Sequence, residues 1–390
     1  MPDERRLLEL GVEDLRRGAD AVVQDPALQA DDAIPALSYM TGRYRADRKY
    51  VWDSWAGFQW VGFLAGRLWL LHLLTGEGRY AEAGFRLCRR IGPVLARQPA
   101  RFSATGTDVY YGLCLGFEAT RREELRGWAV AGARNLENLF DRRAGAFLQI
   151  ASADRIVIDT GLNLPPLLWA ARDEPTCAEL AMQHLDTTLR IGLLREDGSS
   201  FHAAALCGPE RRVSRLFTLQ GWRDESTWAR GQAWAMLGFA HGFEASGREA
   251  YLDAARRAAD WYLDHAPADW VPRYDFDDPD VDSVPRDSCA ASIAATVLLR
   301  LARWLPERAE RYRSAARATL LELLANHLSP GGVLLHGSWG RMRHREDGQP
   351  SLGRFPQEDV MPYGNYWVAE CLFRELRDDW SPLSLAARSS

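Results

Sequence analysis

The sequence predicts an all-α fold, an (α/α)6 barrel in which six inner and six outer helices close into one toroid, with small β-hairpins at the rim that would carry its site. Three observations predict it. Hydrophobic periodicity marks twelve helical segments, and these alternate between segments that are apolar nearly all round and segments with a one-sided apolar stripe. Short polar connections lead from each inner segment to the outer segment after it, so consecutive helices are expected to be antiparallel neighbours. The ring needs all twelve, which makes residues 1–390 one expected domain.

The first segment, 7–24, lies in MPDERRLLELGVEDLRRGAD and reads as an amphipathic helix. That stretch lacks the apolar run and small-residue cleavage site of a secretory leader, so a cytoplasmic location is expected. Segments 56–76 and 79–97 follow, joined by LTGEGRY; segments 107–119 and 122–140 are joined by ATRRE. Segments 161–172 and 175–191 come next, then 228–245 and 248–265, joined by ASGRE. The stripe Tyr251, Ala255, Ala258 and Tyr262, with Arg256, Arg257 and Asp260 opposite, makes 248–265 an outer helix. AWAMLGFAHGF (233–243) and CAASIAATVLLRLARW (289–304) are small-residue rich and apolar on all sides, hence inner. Segments 287–304, 307–327 and 363–378 complete the set. FHAAALCGPERRVSRLFTL (201–219) and VLLHGSWGRMRHRE (333–346) alternate like strands, and each is expected to form a rim hairpin. A two-domain helical repeat is the competing architecture, but no repeat of fixed length is visible.

Composition excludes several functions. A net charge of -5 gives no electrostatic footprint for nucleic acid, and no run of eighteen apolar residues is present to span a membrane. Six cysteines (Cys88, Cys114, Cys177, Cys207, Cys289, Cys371) stand singly, without a CxxC pair, and read as buried free thiols. Fifteen tryptophans suit the stacking of sugar rings, although core filling uses them equally well. A closed ring is stable as a monomer, so a monomer or weak homo-oligomer is expected.

If all inner helices point the same way, the longer connections gather Asp53, Asp108, Asp159, His202, Arg230, Asp287 and Asn365 at one mouth. Asp108 in GTDVYYGL and Asp159 in VIDTGLNLPPLLWA stand at helix starts, where each serves as an N-cap or as an acid/base group. An acid working near neutral pH needs its charged form disfavoured by burial or a second carboxylate, whereas a helix N-terminus works in the opposite sense. WRDESTWARGQAW (222–234) crowds Trp228, Arg230, Gln232 and Trp234 into one helix start. Arg230 there is either a planar donor fork for a ligand carboxylate between indole walls or an ion pair with Asp224 or Glu225. His202 in DGSSFHAAAL is a proton carrier, a hydroxyl-binding donor or a bystander.

The segment QGWRDESTWARGQAWAMLGF (220–239), with IDTGLNLPPLLWA, DGSSFH, RDSCAASIAA (286–295), VLLHGSW and PYGNYWVAECLFREL (362–376), resembles the unsaturated glucuronyl hydrolases of glycoside hydrolase family 88. The blocks keep the family's order from about residue 50 to residue 376. The resemblance implies an (α/α)6 barrel that needs no metal or organic cofactor. Its substrate would be the 4,5-unsaturated uronic acid left at the non-reducing end of oligosaccharides by polysaccharide lyases. Asp159 would protonate C4 of the enol ether and guide water to C5, while Asp108 would hold substrate hydroxyls and help keep Asp159 protonated. His202, Arg230 and Trp234 would line the pocket, with Trp228, Ser338, Trp339 and Asn365 as further contacts and Trp52 or Trp55 as a ring-stacking wall. Gln232 would touch substrate or brace the site, and Asp287 and Ser288 would cap the next helix or, less readily, face substrate.

The chain departs from the family pattern at Thr107, where members often have His, at Ile150, Ala151 and Ser152, where Trp is common, and at Gly364, Asn365, Tyr366 and Trp367. Three rivals remain. Unsaturated rhamnogalacturonyl hydrolases share the chemistry but more often carry Gly-Asn where Gly231 and Gln232 stand. A sugar 2-epimerase needs paired histidines, for which only His202 and His336 are placed, and a non-catalytic carbohydrate binder would keep the tryptophans without needing Asp159. Arg341, Arg343, His344 and Arg345 either meet an anionic aglycone or form a solvated loop.

Overall fold

A helix that is apolar on every side has to be covered on every side, and among the described residues six helices achieve that by packing on one another and under the helices outside them. The computed structural model describes residues 4–37, 43–47, 60–340 and 360–383. Among the described residues the principal helices are α1 (Glu4–Gln24), α2 (Val61–Thr75), α3 (Gly78–Arg97), α4 (105–120), α5 (Glu123–Leu136), α6 (160–172), α7 (Pro175–Arg190), α8 (Ala229–Ser246), α9 (Glu249–His265), α10 (Ser288–Trp304), α11 (Ala309–Glu322) and α12 (Pro362–Leu376). Helices α2, α4, α6, α8, α10 and α12 each pack on the next, and α12 returns to α2. α8 is buried from Ala229 to Gly242 and α10 from Ser288 to Ala302, as their all-round apolar sequences require. The alternating helices bury one face only: α9 covers Tyr251, Ala255, Ala258 and Tyr262 and turns its charges outward. α1 packs on α2, α3 and α12.

Two inner-to-outer turns show how the sequence closes a hairpin. α2 ends at Gly76 (φ 73°) and α8 at Gly247 (φ 67°), left-handed caps that only glycine adopts without a Cβ clash. Glycine also sets one helix spacing. A Cβ built on Gly161 of α6 would lie 2.9 Å from the Cα of Gly238 in α8, and the converse holds, so these helices touch backbone to backbone.

Two inner helices are irregular. α4 turns π-helical over Asp108–Cys114, a distortion that often marks a functional segment. α6 breaks after Thr160–Asn163 and restarts at Pro165–Trp169, because Pro165 has no N–H to continue the ladder.

The strands form small antiparallel sheets: β1 (Ile34–Leu37) with β2 (Tyr44–Asp47), β3 (Phe140–Asp141) with β4 (Ala146–Phe147), and a three-stranded sheet of β5 (Arg155–Val157), β6 (Ala203–Cys207) and β7 (Arg212–Phe217). The hairpin expected at 201–219 is β6–β7, with a register shift at Ala205/Leu206 and β5 added on its free edge. The hairpin expected at 333–346 is not formed over its described part. Residues 333–340 hold one isolated bridge, Leu328 to Leu334, because the Leu334 N–H donates to the Asn365 side chain (2.7 Å) and the Leu335 N–H to the His327 carbonyl (2.8 Å). Trp52, Asp53, Trp55 and the cluster Arg341, Arg343, His344 and Arg345 lie outside the described residues. No helix among the described residues is long and apolar enough to cross a membrane.

Candidate active site

A cavity of about 480 Å³, its open mouth included, lies where inner-helix N-termini converge. That is within the range of small-ligand sites. Its apolar wall comes from Trp60, just before α2, with Phe102, Trp234, Trp339 and Tyr363. Ser103, Gln149, Asp159, Asn163, Gln220 and Arg230 supply the polar groups.

Asp159 immediately precedes α6, yet its side chain makes no cap hydrogen bond. The side chain is 26% exposed; its Oδ2 lies 3.4 Å from Nε2 of His202 and accepts no hydrogen bond from the described residues. His202, by contrast, is 1% exposed and held on three sides. Its Nδ1 accepts the backbone N–H of Leu219 (3.2 Å) and sits 3.3 Å from Thr218 Oγ1, and its ring stacks on Trp228 with centroids 4.3 Å apart. With Nδ1 accepting from an amide, the proton of the neutral imidazole belongs on Nε2, which faces Asp159.

Arg230, in the first turn of α8, is buried. Its guanidinium donates to the Asp287 carboxylate, to the Ser338 carbonyl and to Gln220 Oε1 at 3.0 Å, and lies 4.6 Å over the Trp228 ring and 5.5 Å from that of Tyr363. Burial alone would lower its pKa, but the Asp287 carboxylate overcomes that and raises it above the ordinary value. The charge is therefore permanent. The ion-pair alternative in the sequence named Asp224 or Glu225; the partner is instead Asp287, whose other oxygen caps α10 at Ala290 N (3.2 Å). Asp224 accepts from Thr218 N at 3.2 Å, and Glu225 gives its carbonyl to Arg195.

Several expected contact residues stand behind the wall. Trp228 lies between His202 and Arg230, supporting both. Gln232 is a brace: its amide donates to the carbonyls of Gly198 (2.8 Å) and Ala258 (3.0 Å), tying α8 to α9 and to the loop before β6. Ser338 is fully buried, its carbonyl on Arg230 and its hydroxyl accepting from Gly340 N at 3.0 Å. Asn365 holds the 334 backbone. Asp108 is also absent from the wall. It is fully buried, and its Oδ1 accepts from Gly62 N at 2.6 Å where α2 meets α4 so closely that a Cβ on Gly62 would come within 2.4 Å of the Asp108 Cα. That contact fixes the start of α2 just beyond Trp60, whose backbone is left-handed at φ 55°.

No family profile matches the sequence. The unsaturated glucuronyl hydrolase of Bacillus sp. (strain GL1) is 30% identical over 359 residues, covering 88% of this chain and 91% of that protein. The chain belongs to the unsaturated glucuronyl hydrolases. Another relative of that name, from Formosa agariphila, is 28% identical over 80% of this chain and 79% of its own length. The crystal structure of the Bacillus sp. GL1 protein, described as responsible for the degradation of glycosaminoglycan, superposes with a TM-score of 0.82 at 26% identity over 98% of this chain and 99% of that one. Membership makes the chain an enzyme of the glycoside hydrolase class.

Within this unsaturated glucuronyl hydrolase fold, sequence reasoning missed Trp60, Phe102, Ser103, Gln149, Asn163, Gln220 and Tyr363 as wall residues. Asn163, Gln220 and Tyr363 were within reach, since all three lie inside the family-like blocks. Gln149 was not, because it enters the cavity from the loop between β4 and β5, and a three-residue strand leaves no periodic signal.

Proposed function

We propose that this protein is an (α/α)6-barrel enzyme that removes the 4,5-unsaturated uronic acid from the non-reducing end of lyase-generated oligosaccharides, with Asp159 as the acid/base. The observation that carries the reading is the Asp159 Oδ2: unclaimed by any hydrogen-bond donor among the described residues, beside the His202 Nε2, in a cavity that also presents Arg230 and the indoles of Trp60, Trp234 and Trp339. The sugar ring rests on the indoles, Ser103, Gln149 and Asn163 serve its hydroxyls, and the buried cation of Arg230 favours its carboxylate.

Asp159 gives its proton to C4, and the positive charge that develops is shared between C5 and the ring oxygen. Water adds at C5 and returns a proton to Asp159. The resulting hemiketal opens with cleavage of the bond from C5 to the ring oxygen, and the aglycone then leaves C1 as its alcohol. One carboxylate suffices for the cycle, so the two-carboxylate spacing of ordinary glycosidases does not govern this site. His202 steadies that carboxylate. Asp108 contributes by fixing α2 and Trp60 against α4.

The test is optical, because unsaturated uronides lose their ultraviolet absorbance when the double bond is hydrated. Incubation with unsaturated disaccharides from chondroitin, hyaluronan and heparin should abolish the signal for at least one of them, and Asp159→Asn should leave it intact. A wild type that binds the panel without changing it would be a carbohydrate-binding protein, and formation of an epimeric sugar would make it an epimerase.

A further inference from the structure

The sheet beside the acid has a second face. Val157 of β5 lines the candidate active site, while its neighbour Ile156 points to the opposite side and, with Leu206 of β6, floors an open cleft of about 710 Å³, mouth included. Arg143, Arg190, Arg211 and Arg212 line that cleft; the one acidic residue among its lining is Glu210.

These cations differ in how they are held. Arg211, in the β6–β7 turn with φ 55°, is anchored by Asp141 at 2.6 Å and by Asp154. Arg143 and Arg190 are oriented by neutral acceptors instead: Arg143 Nη1 donates to the Pro209 carbonyl (3.0 Å) and Arg190 Nη2 to Thr187 Oγ1 (3.1 Å). Neither has a carboxylate partner among the described residues. Arg212 meets Glu210 only at 3.7 Å with both side chains largely exposed, a pairing that neutralises little. In a chain of net charge -5, positioned but uncompensated cations around an apolar floor are a receptor for anions.

We propose that this cleft is an accessory, non-catalytic binding site for the sulfate or carboxylate groups of an acidic saccharide. Guanidinium forks match those planar or trigonal oxygen sets, and the exposed Val213 offers apolar surface on which a sugar C–H face rests. The choice of a saccharide over a free inorganic anion rests on the function proposed above.

The experiment uses the full-length protein and a chondroitin sulfate hexasaccharide with a saturated non-reducing end, which has no double bond to hydrate. Titration calorimetry should show binding that weakens as salt is raised. The double variant Arg190→Ser/Arg212→Ser, altered only at exposed side chains, should bind about ten-fold or more weakly, with Arg143→Gln in between. Hydrolysis of unsaturated chondroitin disaccharide by these variants should match wild type. Absent binding by the wild type, or equal binding by the double variant, overturns the proposal. Sodium sulfate competing as effectively as the hexasaccharide reduces the cleft to a free-anion site and overturns it as well. Hexasaccharide binding that depends on these arginines in a protein inactive on every unsaturated disaccharide would leave the cleft standing and defeat the catalytic reading alone.

Discussion

The two ends of the helical ring both bury charge, and they do it differently. At the rear, near the C-termini of α8, α10 and α12, Glu244 pairs with Arg300 and Glu370 with Arg374, all four side chains no more than 6% exposed. The other oxygen of Glu244 accepts from Leu383 N (3.2 Å), that of Glu370 from the Tyr366 hydroxyl (2.5 Å), and Arg374 donates to the Trp380 carbonyl (2.8 Å). Each rear carboxylate oxygen has a donor. At the front, Asp287 is satisfied in the same way by Arg230 and Ala290, but Asp159 keeps one oxygen unclaimed. A carboxylate with a donor on both oxygens is scaffolding, and one with a buried oxygen left without a donor is a place for a ligand or a proton.

The largest effect should come from the unclaimed group. Asp159→Asn should lower kcat by roughly 10²–10⁴-fold, read from ultraviolet loss, while urea unfolding stays close to wild type. A decrease smaller than ten-fold would remove the distinction between the two ends. Next come the closed pairs. Glu244→Ala strands Arg300 and should cost about 3–5 kcal/mol of stability with the activity of the folded fraction unchanged, whereas Asp287→Ala should cost a similar amount and raise KM as well. Equal KM values would show that Arg230 needs no holding.

Acid should act on the scaffold more gradually. Burial lowers the His184 pKa to about 3 from 6.5, with its Nδ1 accepting from Phe147 N, and burial, followed by Arg300 and Arg374, lowers that of His241 at the rear. Their folded pKa values lie below the unfolded ones, so the unfolded chain takes up protons first as pH falls. Stability present above pH 6.5 should therefore decline below it, by about 1.4 kcal/mol per pH unit for each such histidine. Denaturant midpoints at stepped pH measure this, and His184→Gln should flatten the slope. The smallest effect belongs to the support of His202: Thr218→Val removes a neighbour of Nδ1 and should reduce kcat/KM by about two- to ten-fold with little change in stability.

Much of this architecture is written in the pattern of the chain. Helices with a sustained period, such as 248–265 and 287–304, appear within a residue of their expected bounds, because packing there follows the same apolar face that the sequence displays. The π-helical turn at Asp108 left no local signal in the sequence. The break before Pro165 was legible in the Pro165-Pro166 pair, which the unbroken segment expected over 161–172 passes over. At the site, Asp159, Arg230, Trp234 and Trp339 could be picked from helix starts and motif blocks. The Arg230 partner lies 57 residues onward, beyond any local rule, and Asp108 turns to a backbone amide because a neighbouring helix offers one.

The contact between Gly161 and Gly238 has a further consequence. Asp159 stands two residues before one member of the pair, and Trp234 stands one helical turn before the other, so the distance between acid and indole is gauged by two residues that have nothing beyond the main chain. Lengthening either by a single methyl would have to push the helices apart, which would widen the cavity without altering any residue that faces it. Specificity could thus drift through positions that never meet the sugar.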